Sequence, residues 1–120
     1  MDEYTKNIVY YMNNTKFTGT LEEYTQRIYY KSKICGDTVI LFVVLKDSII
    51  DDLKYELNGC ALNTASFEVF CEYLIGKPIV EIKNLNSDMI SEKLGVHPKG
   101  KDHCITLALD VFGMIEAEHL

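Results

Sequence analysis

The chain has 120 residues and a formal net charge of −6. One Arg and eleven Lys face eighteen carboxylates, so it lacks the cation surplus that a phosphate backbone or an anionic lipid surface attracts, and neither nucleic acid nor membrane is an expected partner. The length suits one domain spanning residues 1–120, and a hydrophobic content of 48% is enough to fill its core.

The acidic start, Met1-Asp2-Glu3, precedes no apolar stretch of signal-peptide length. Glu3 to Met12 is a weak helix candidate, with Ile8, Val9 and Tyr11 as anchors. Tyr24, Tyr29 and Tyr30 are expected to pack on a sheet, since a stacking platform for RNA would need basic residues between them. Arg27 to Ser32 and Thr38 to Leu45 read as strands, being short, aromatic and β-branched. The apolar run Val39 to Leu45 is far shorter than the ~20 residues of a spanning helix. After a polar turn at Lys46-Asp47-Ser48, Leu53, Tyr55 and Leu57 alternate with charged residues in a third strand over Ile49 to Leu57.

From Leu62 the period changes. Leu62, Ala65, Ser66, Val69, Phe70, Tyr73 and Leu74 form a broad helical stripe, with Gly76 at the expected C-terminus. A short helix is expected from Pro78 to near Leu85, and another from an Asn86 or Ser87 cap to Gly95. The last helix should run from about Asp102 to Ala117, with Ile105, Ala108, Leu109, Phe112 and Ile115 on its buried face. Strands followed by helices predict an α+β domain, a three-stranded antiparallel sheet with helices on one face.

Three of the four cysteines fall at element ends, where loops converge and side chains reach solvent. Cys35 precedes the second strand, Cys60 joins the third strand to the long helix, and Cys104 opens the last helix. Cys71 differs: about 16 Å of helix separates it from Cys60, whereas two thiolates on one zinc lie within roughly 4 Å. It is assigned to core packing. The absence of export signals predicts a cytoplasmic, reducing location, so the remaining cysteines are read as reduced, metal-bound or catalytic rather than disulfide-paired.

Asp37 lies two residues from Cys35 across Gly36, so in an extended chain both side chains face one way. Gly36 permits a sharp turn or a close approach. As a plain turn residue, Asp37 would only cap its own backbone. A helix N-terminus and Lys101 both favour a thiolate at Cys104, making it reactive where exposed. Adjacent helical residues diverge by about 100°, so His103 and Cys104 share a metal only if His103 sits outside the regular helix. His97, in a loop before Pro98, is read as solvated, and His119 as frayed. No Cys-x-x-Cys pair is present, which argues against a zinc ribbon or a thioredoxin-like site.

Cys35-Gly36-Asp37, then Gly59-Cys60-Ala61 with Ala65-Ser66 and Gly76-Lys77, then His103-Cys104 with Leu107-Ala108, resemble in order and spacing the IscU/NifU-type iron–sulfur cluster assembly scaffolds. The likeness runs from Lys33 to Ile115. It implies that Cys35, Cys60 and Cys104 hold a transient [2Fe–2S] cluster, with Asp37 or His103 as the fourth partner and Gly36 and Lys101 in support. The same residues bind zinc in members purified without iron. Cys104 matches the position that accepts persulfide sulfur from a cysteine desulfurase. The resemblance further implies apo iron–sulfur acceptor proteins as partners, allows a ferredoxin-type electron donor, and implies no turnover of a small molecule.

Soft thiolates suit iron and zinc, and a carboxylate or His in fourth place should hold a cluster less firmly than a fourth thiolate. The long insertion of the SufU branch is absent, and His103 stands where that branch has Lys, so the chain looks closer to IscU and NifU. Asn14-Thr15-Lys16-Phe17-Thr18-Gly19 lacks the Pro of the family's Asn-Pro-Arg-Asn-x-Gly, which weakens the expectation that this segment docks as usual. Val96-His97-Pro98-Lys99-Gly100-Lys101 matches the Hsp70-recruiting Leu-Pro-Pro-Val-Lys segment only in its final Lys, weakening the expectation of that chaperone partner. Two other readings use the same residues: a zinc-bound sulfur acceptor that stimulates a desulfurase, and a thiol enzyme with Cys104 as nucleophile and His103 as base. The latter lacks an oxyanion-hole signature.

Overall fold

In the computed structural model, which describes residues 2–116, Asp2 caps helix α1 (Glu3–Asn13) by accepting from Thr5 N at 2.8 Å. Strands β1 (Gln26–Lys31), β2 (Thr38–Lys46) and β3 (Ile49–Asn58) follow, then helix α2 (Ala61–Leu74), a 3-10 helix (Ile79–Asn84), and helices α3 (Ser87–Leu94) and α4 (Asp102–Phe112). The strands form one antiparallel sheet in the order β1-β2-β3. No helix among the described residues is long and apolar enough to cross a membrane.

The sheet's inner face carries Val39, Leu41, Val43 and Leu45 of β2 against Leu53 and Tyr55 of β3, all buried. Alternation alone would leave Ile50 facing outward. A bulge between Val44 and Leu45 shifts the register, so Leu45 faces Ile50 while Val44 faces Asp52, and Ile50 turns into the core. The β2–β3 turn places Asp47 and Ser48 at φ +52° and +63°, the two-residue form whose twist suits a hairpin. Neither residue favours that region as Gly does. Replacing Asp47-Ser48 with Asn-Gly is therefore expected to raise stability by about 1 kcal/mol. An unchanged urea midpoint would contradict this.

Helix α2 is the central element, packed against α1, α3, α4 and β3. Its burial extends beyond the predicted stripe to Asn63, Phe67, Glu68 and Cys71. Cys71 is fully buried in the core as expected. Gly76, at φ +79°, follows the helix in the left-handed conformation common at helix ends, and Asn86 caps α3 by accepting from Met89 N.

Four sequence expectations need correction. Helix α1 anchors through Tyr4, Ile8 and Tyr11, one face at i, i+4 and i+7, while Val9 is exposed. Helix α4 ends at Phe112 rather than Ala117, which lies outside the described residues together with His119. Gly113 follows directly as its cap; Leu109 is only partly buried, whereas Ile115 is buried beyond the helix end. Tyr30 packs against the core, whereas Tyr24 and Tyr29 are both exposed, Tyr24 setting its ring edge-on to Phe42. The segment lacking the family's Pro does dock: Tyr55 N donates to Phe17 O at 2.8 Å, and Gly19 N to Tyr55 O at 2.9 Å.

Candidate functional site

Helices α2 and α4 bring two cysteines together. Cys60 is the N-cap of α2, Cys104 lies in the first turn of α4, and their sulfurs stand 3.0 Å apart. Neither cap residue, Cys60 nor Lys101, supplies a side-chain hydrogen bond to its helix. Two positive helix ends therefore converge where negative charge would develop on sulfur.

Cys104 is nonetheless 1% exposed, and its thiol is pushed up to about 12. Burial is the main cause, followed by the hydrogen bond with Cys60 and the charges of Cys60 and Cys35, with Lys101 opposing. The sequence expectation of a reactive thiolate held only for an exposed Cys104. The thiol is buried, and its raised value keeps it protonated at neutral pH. Its raised value favours the folded state fully below pH 9, and that contribution is lost as pH rises from 9 toward 12. Metal-free protein is thus expected to lose stability over that window, and Cys104→Ala to lose less. Parallel profiles for the two proteins would contradict the assignment.

Cys35 sits on an exposed loop closed by Ser32. The buried Ser32 Oγ accepts from Ile34 N at 3.2 Å and Cys35 N at 3.4 Å, and the backbone links Gly36 N to Ser32 O and Ser32 N to Asp37 O. Gly36, at φ +76°, makes this turn without strain. The four cysteines should therefore alkylate very unequally. At pH 7.5 a thiol near 12 carries about 10³-fold less thiolate than an ordinary one. Iodoacetamide is expected to label Cys35 first, then half-buried Cys60, with Cys104 and Cys71 reacting only as the fold opens. Labelling of Cys104 as fast as Cys35 would contradict this.

Asp37 does not cap its own backbone. Its Oδ2 accepts from Asn63 Nδ2 in the first turn of α2, and the carboxylate lies against Gly59, the residue before Cys60. His103 is inside α4, in its first turn, so it diverges from Cys104 as adjacent helical residues must. It lines a cavity of about 140 Å³ with Tyr30, Ser32, Lys33 and Ile34, beside the Cys35 loop. Among the described residues, no three His, Cys, Asp or Glu side chains adopt an arrangement that could hold a metal ion. Cys60 and Cys104 are in contact, Asp37 lies against Gly59, the residue before Cys60, and His103 lines the cavity beside the Cys35 loop.

Three further residues belong to this region. His97 is not solvated: it is half-buried, and its Nε2 meets Asp102 Oδ1 at 2.6 Å, tying the preceding loop to the start of α4. Tyr4 of α1 packs against the core and lines a cavity with Gly95, Val96 and His97, and its hydroxyl is pushed up by burial first and then by the charges of Cys60 and Cys104. Asn63 is fully buried. Tyr4 was legible from the i, i+4, i+7 spacing with Ile8 and Tyr11, and Asn63 as a polar residue inside an apolar helix.

The fold is that of an α+β domain, a three-stranded antiparallel sheet backing helices, with two cysteines meeting at helix N-termini. The chain belongs to the NifU-like N terminal domain family, whose profile matches residues 3–116. It is 31% identical over 107 residues to the iron–sulfur cluster assembly scaffold protein IscU 1 of Archaeoglobus fulgidus, covering 89% of this chain and 70% of that protein. The Thermotoga maritima scaffold protein IscU is likewise 31% identical, over 90% of this chain and 77% of the relative. Among solved structures, FiSufU of Fervidobacterium islandicum AW-1 superposes with a TM-score of 0.77 at 26% identity, covering 95% of this chain and 94% of that one. The N-terminal part of a NifU-like protein from Brucella abortus gives 0.64 at 26% identity, covering 92% and 78%.

Proposed function

We propose that the chain is a scaffold on which [2Fe–2S] clusters are assembled and from which they are passed to apoproteins. The observation that carries this reading is the Cys60–Cys104 pair, 3.0 Å apart at two helix N-termini, with the Asp37 carboxylate against the neighbouring Gly59, in a chain whose relatives are named iron–sulfur cluster assembly scaffold proteins. The cluster is cargo. Cys35, Cys60 and Cys104 supply thiolates, and Asp37 or His103 the fourth contact. The exposed Cys35 loop and the edge position of His103 leave these two ligands free to adjust as the cargo arrives.

Sulfur comes as the persulfide of a cysteine desulfurase. The Cys104 sulfur attacks the outer sulfur of that persulfide; the donor's S–S bond breaks, a new one forms at Cys104, and the donor leaves as thiolate. Two electrons, from a ferredoxin-type protein, then reduce the outer sulfur to sulfide and restore the Cys104 thiolate. Because Cys104 is buried, this step calls for the first turn of α4 to open. Metal entry displaces the thiol protons, so affinity should rise with pH. A ligand set that includes oxygen or nitrogen holds a cluster less tightly than four thiolates, which suits a protein that releases its cargo.

Anaerobic reconstitution with ferrous iron, cysteine and a cysteine desulfurase tests loading. The reading expects visible absorption of the [2Fe–2S] type, with iron and sulfide in equal amounts. A protein that takes up no iron but keeps zinc and accelerates the desulfurase would replace the scaffold with a sulfur acceptor.

A further inference from the structure

Asn63 stands out among the buried side chains. It is fully buried in the first turn of α2, three residues after Cys60, and its Nδ2 donates to Asp37 Oδ2. Its own Oδ1 is buried and takes no hydrogen bond. An unpaired buried acceptor is costly, and a carboxamide can often relieve such a cost by turning over. Here the flip would set Oδ1 against the Asp37 carboxylate, two acceptors facing each other. The charge-assisted bond to Asp37 therefore fixes the orientation of the amide, and the orphaned oxygen is its consequence.

Gly59 closes the other side. A Cβ there would lie 2.7 Å from Asp37 Oδ2, 2.9 Å from its Cγ and 3.1 Å from Asn63 Nδ2. Gly59 has no positive φ, so what this position requires is space and not conformational freedom. The carboxylate is thus held between a flat backbone and a buried amide through Oδ2. Among the described residues, its other oxygen, Oδ1, takes no hydrogen bond. The same bond ties the loop bearing Cys35 to the helix bearing Cys60.

We propose that Asn63 is a positioning residue for the cargo, its buried carboxamide presetting the Asp37 carboxylate beside Cys60 as an oxygen ligand. This rests on the scaffold reading, in which Asp37 is one of the cargo's contacts. Partners that orient a metal ligand commonly change affinity 10–100-fold when removed. Asn63 acts only through Asp37, so the two substitutions should not add.

The test uses zinc affinity, measured by competition with a chelator, and the absorption spectrum of cobalt-loaded protein, for wild type, Asp37→Ala, Asn63→Ala and the double variant. Asn63→Leu, similar in size and free of polar atoms, is included in case the alanine variant folds poorly. The expected results are a loss of about 10–100-fold for either Asn63 variant and a double variant no weaker than Asp37→Ala alone. The cobalt d–d bands of the Asn63 variants should shift toward those of Asp37→Ala, with the thiolate charge-transfer band intact. Wild-type affinity and spectrum in both Asn63 variants, alongside a weakened Asp37→Ala, would overturn the proposal and leave Asp37 as a ligand. Equal losses from Asn63→Ala with and without Asp37 would also overturn it, since Asn63 would then act by another route. Wild-type behaviour of Asp37→Ala would remove Asp37 from the ligand set, and the proposal with it.

Discussion

Glu68→Ala is expected to destabilise the fold by about 4 kcal/mol, a large share of the roughly 5–15 kcal/mol that holds a domain folded. Glu68 is 2% exposed. Its carboxylate accepts from Lys16 N at 2.7 Å, Phe17 N at 3.2 Å and the Tyr55 hydroxyl at 2.6 Å. All three partners are donors: loss of the carboxylate leaves the part-buried Lys16 and Phe17 N–H groups without this acceptor and the Tyr55 hydroxyl with only Thr64 O at 3.4 Å. Lys16 and Phe17 belong to the segment that runs along β3, so Glu68 holds the connection between α1 and the sheet from inside the core. Tyr55→Phe removes one of these bonds and should cost about 1 kcal/mol. Urea unfolding measures both. A Glu68→Ala cost within 1 kcal/mol would show that the paired backbone of Phe17, Gly19 and Tyr55 holds the segment unaided.

Cys104→Ser should reduce zinc affinity by at least about 10³-fold, because a soft thiolate is exchanged for a hydroxyl that does not ionise near neutral pH. The effect is visible in melting. A metal that binds only the folded chain, at 1,000 times its dissociation constant, adds about 4 kcal/mol, or roughly 10–20 °C for a domain of this size. Wild-type protein is expected to show that rise with zinc and lose it with EDTA, whereas Cys104→Ser should melt alike in both. Cys71→Ser provides the contrast. A hydroxyl at that fully buried position costs about 1–3 kcal/mol, yet the zinc-dependent rise should persist, because Cys71 lies well along α2 from the cysteine pair. If Cys71→Ser abolished the rise, the metal would have to lie elsewhere.

The strands and the order of helices were legible because each rests on local hydrophobic periodicity, and the burial of Cys71 because its distance along α2 from Cys60 excluded a shared metal and left core packing. Periodicity assigns polar residues to the outside, and there it failed. Glu68 and Asn63 are buried in α2 because their partners lie 52 and 26 residues away in sequence, at Lys16 and Asp37. No local pattern carries such information. The bulge at Val44/Leu45 reverses which residues of early β3 face inward, again set by pairing and not by composition. At the site, motif order and spacing nominated Cys35, Asp37, Cys60, His103 and Cys104 as candidates, of which the structure brings Cys60 and Cys104 into contact. Burial of Cys104 follows from how α4 packs on α2, which spacing does not encode, whereas the divergence of His103 from Cys104 follows from helix geometry alone.

A scaffold differs from a zinc-bound sulfur acceptor in giving a cluster away. The most direct measurement is therefore transfer from reconstituted protein to an apo-ferredoxin, followed under anaerobic conditions with excess chelator to trap free iron. The account predicts that the ferredoxin gains its cluster as the donor's absorption declines, and that Cys60→Ser or Cys104→Ser protein delivers none. Ferredoxin that stays apo while the wild-type donor keeps its cluster, or loses it only to the chelator, would contradict the account.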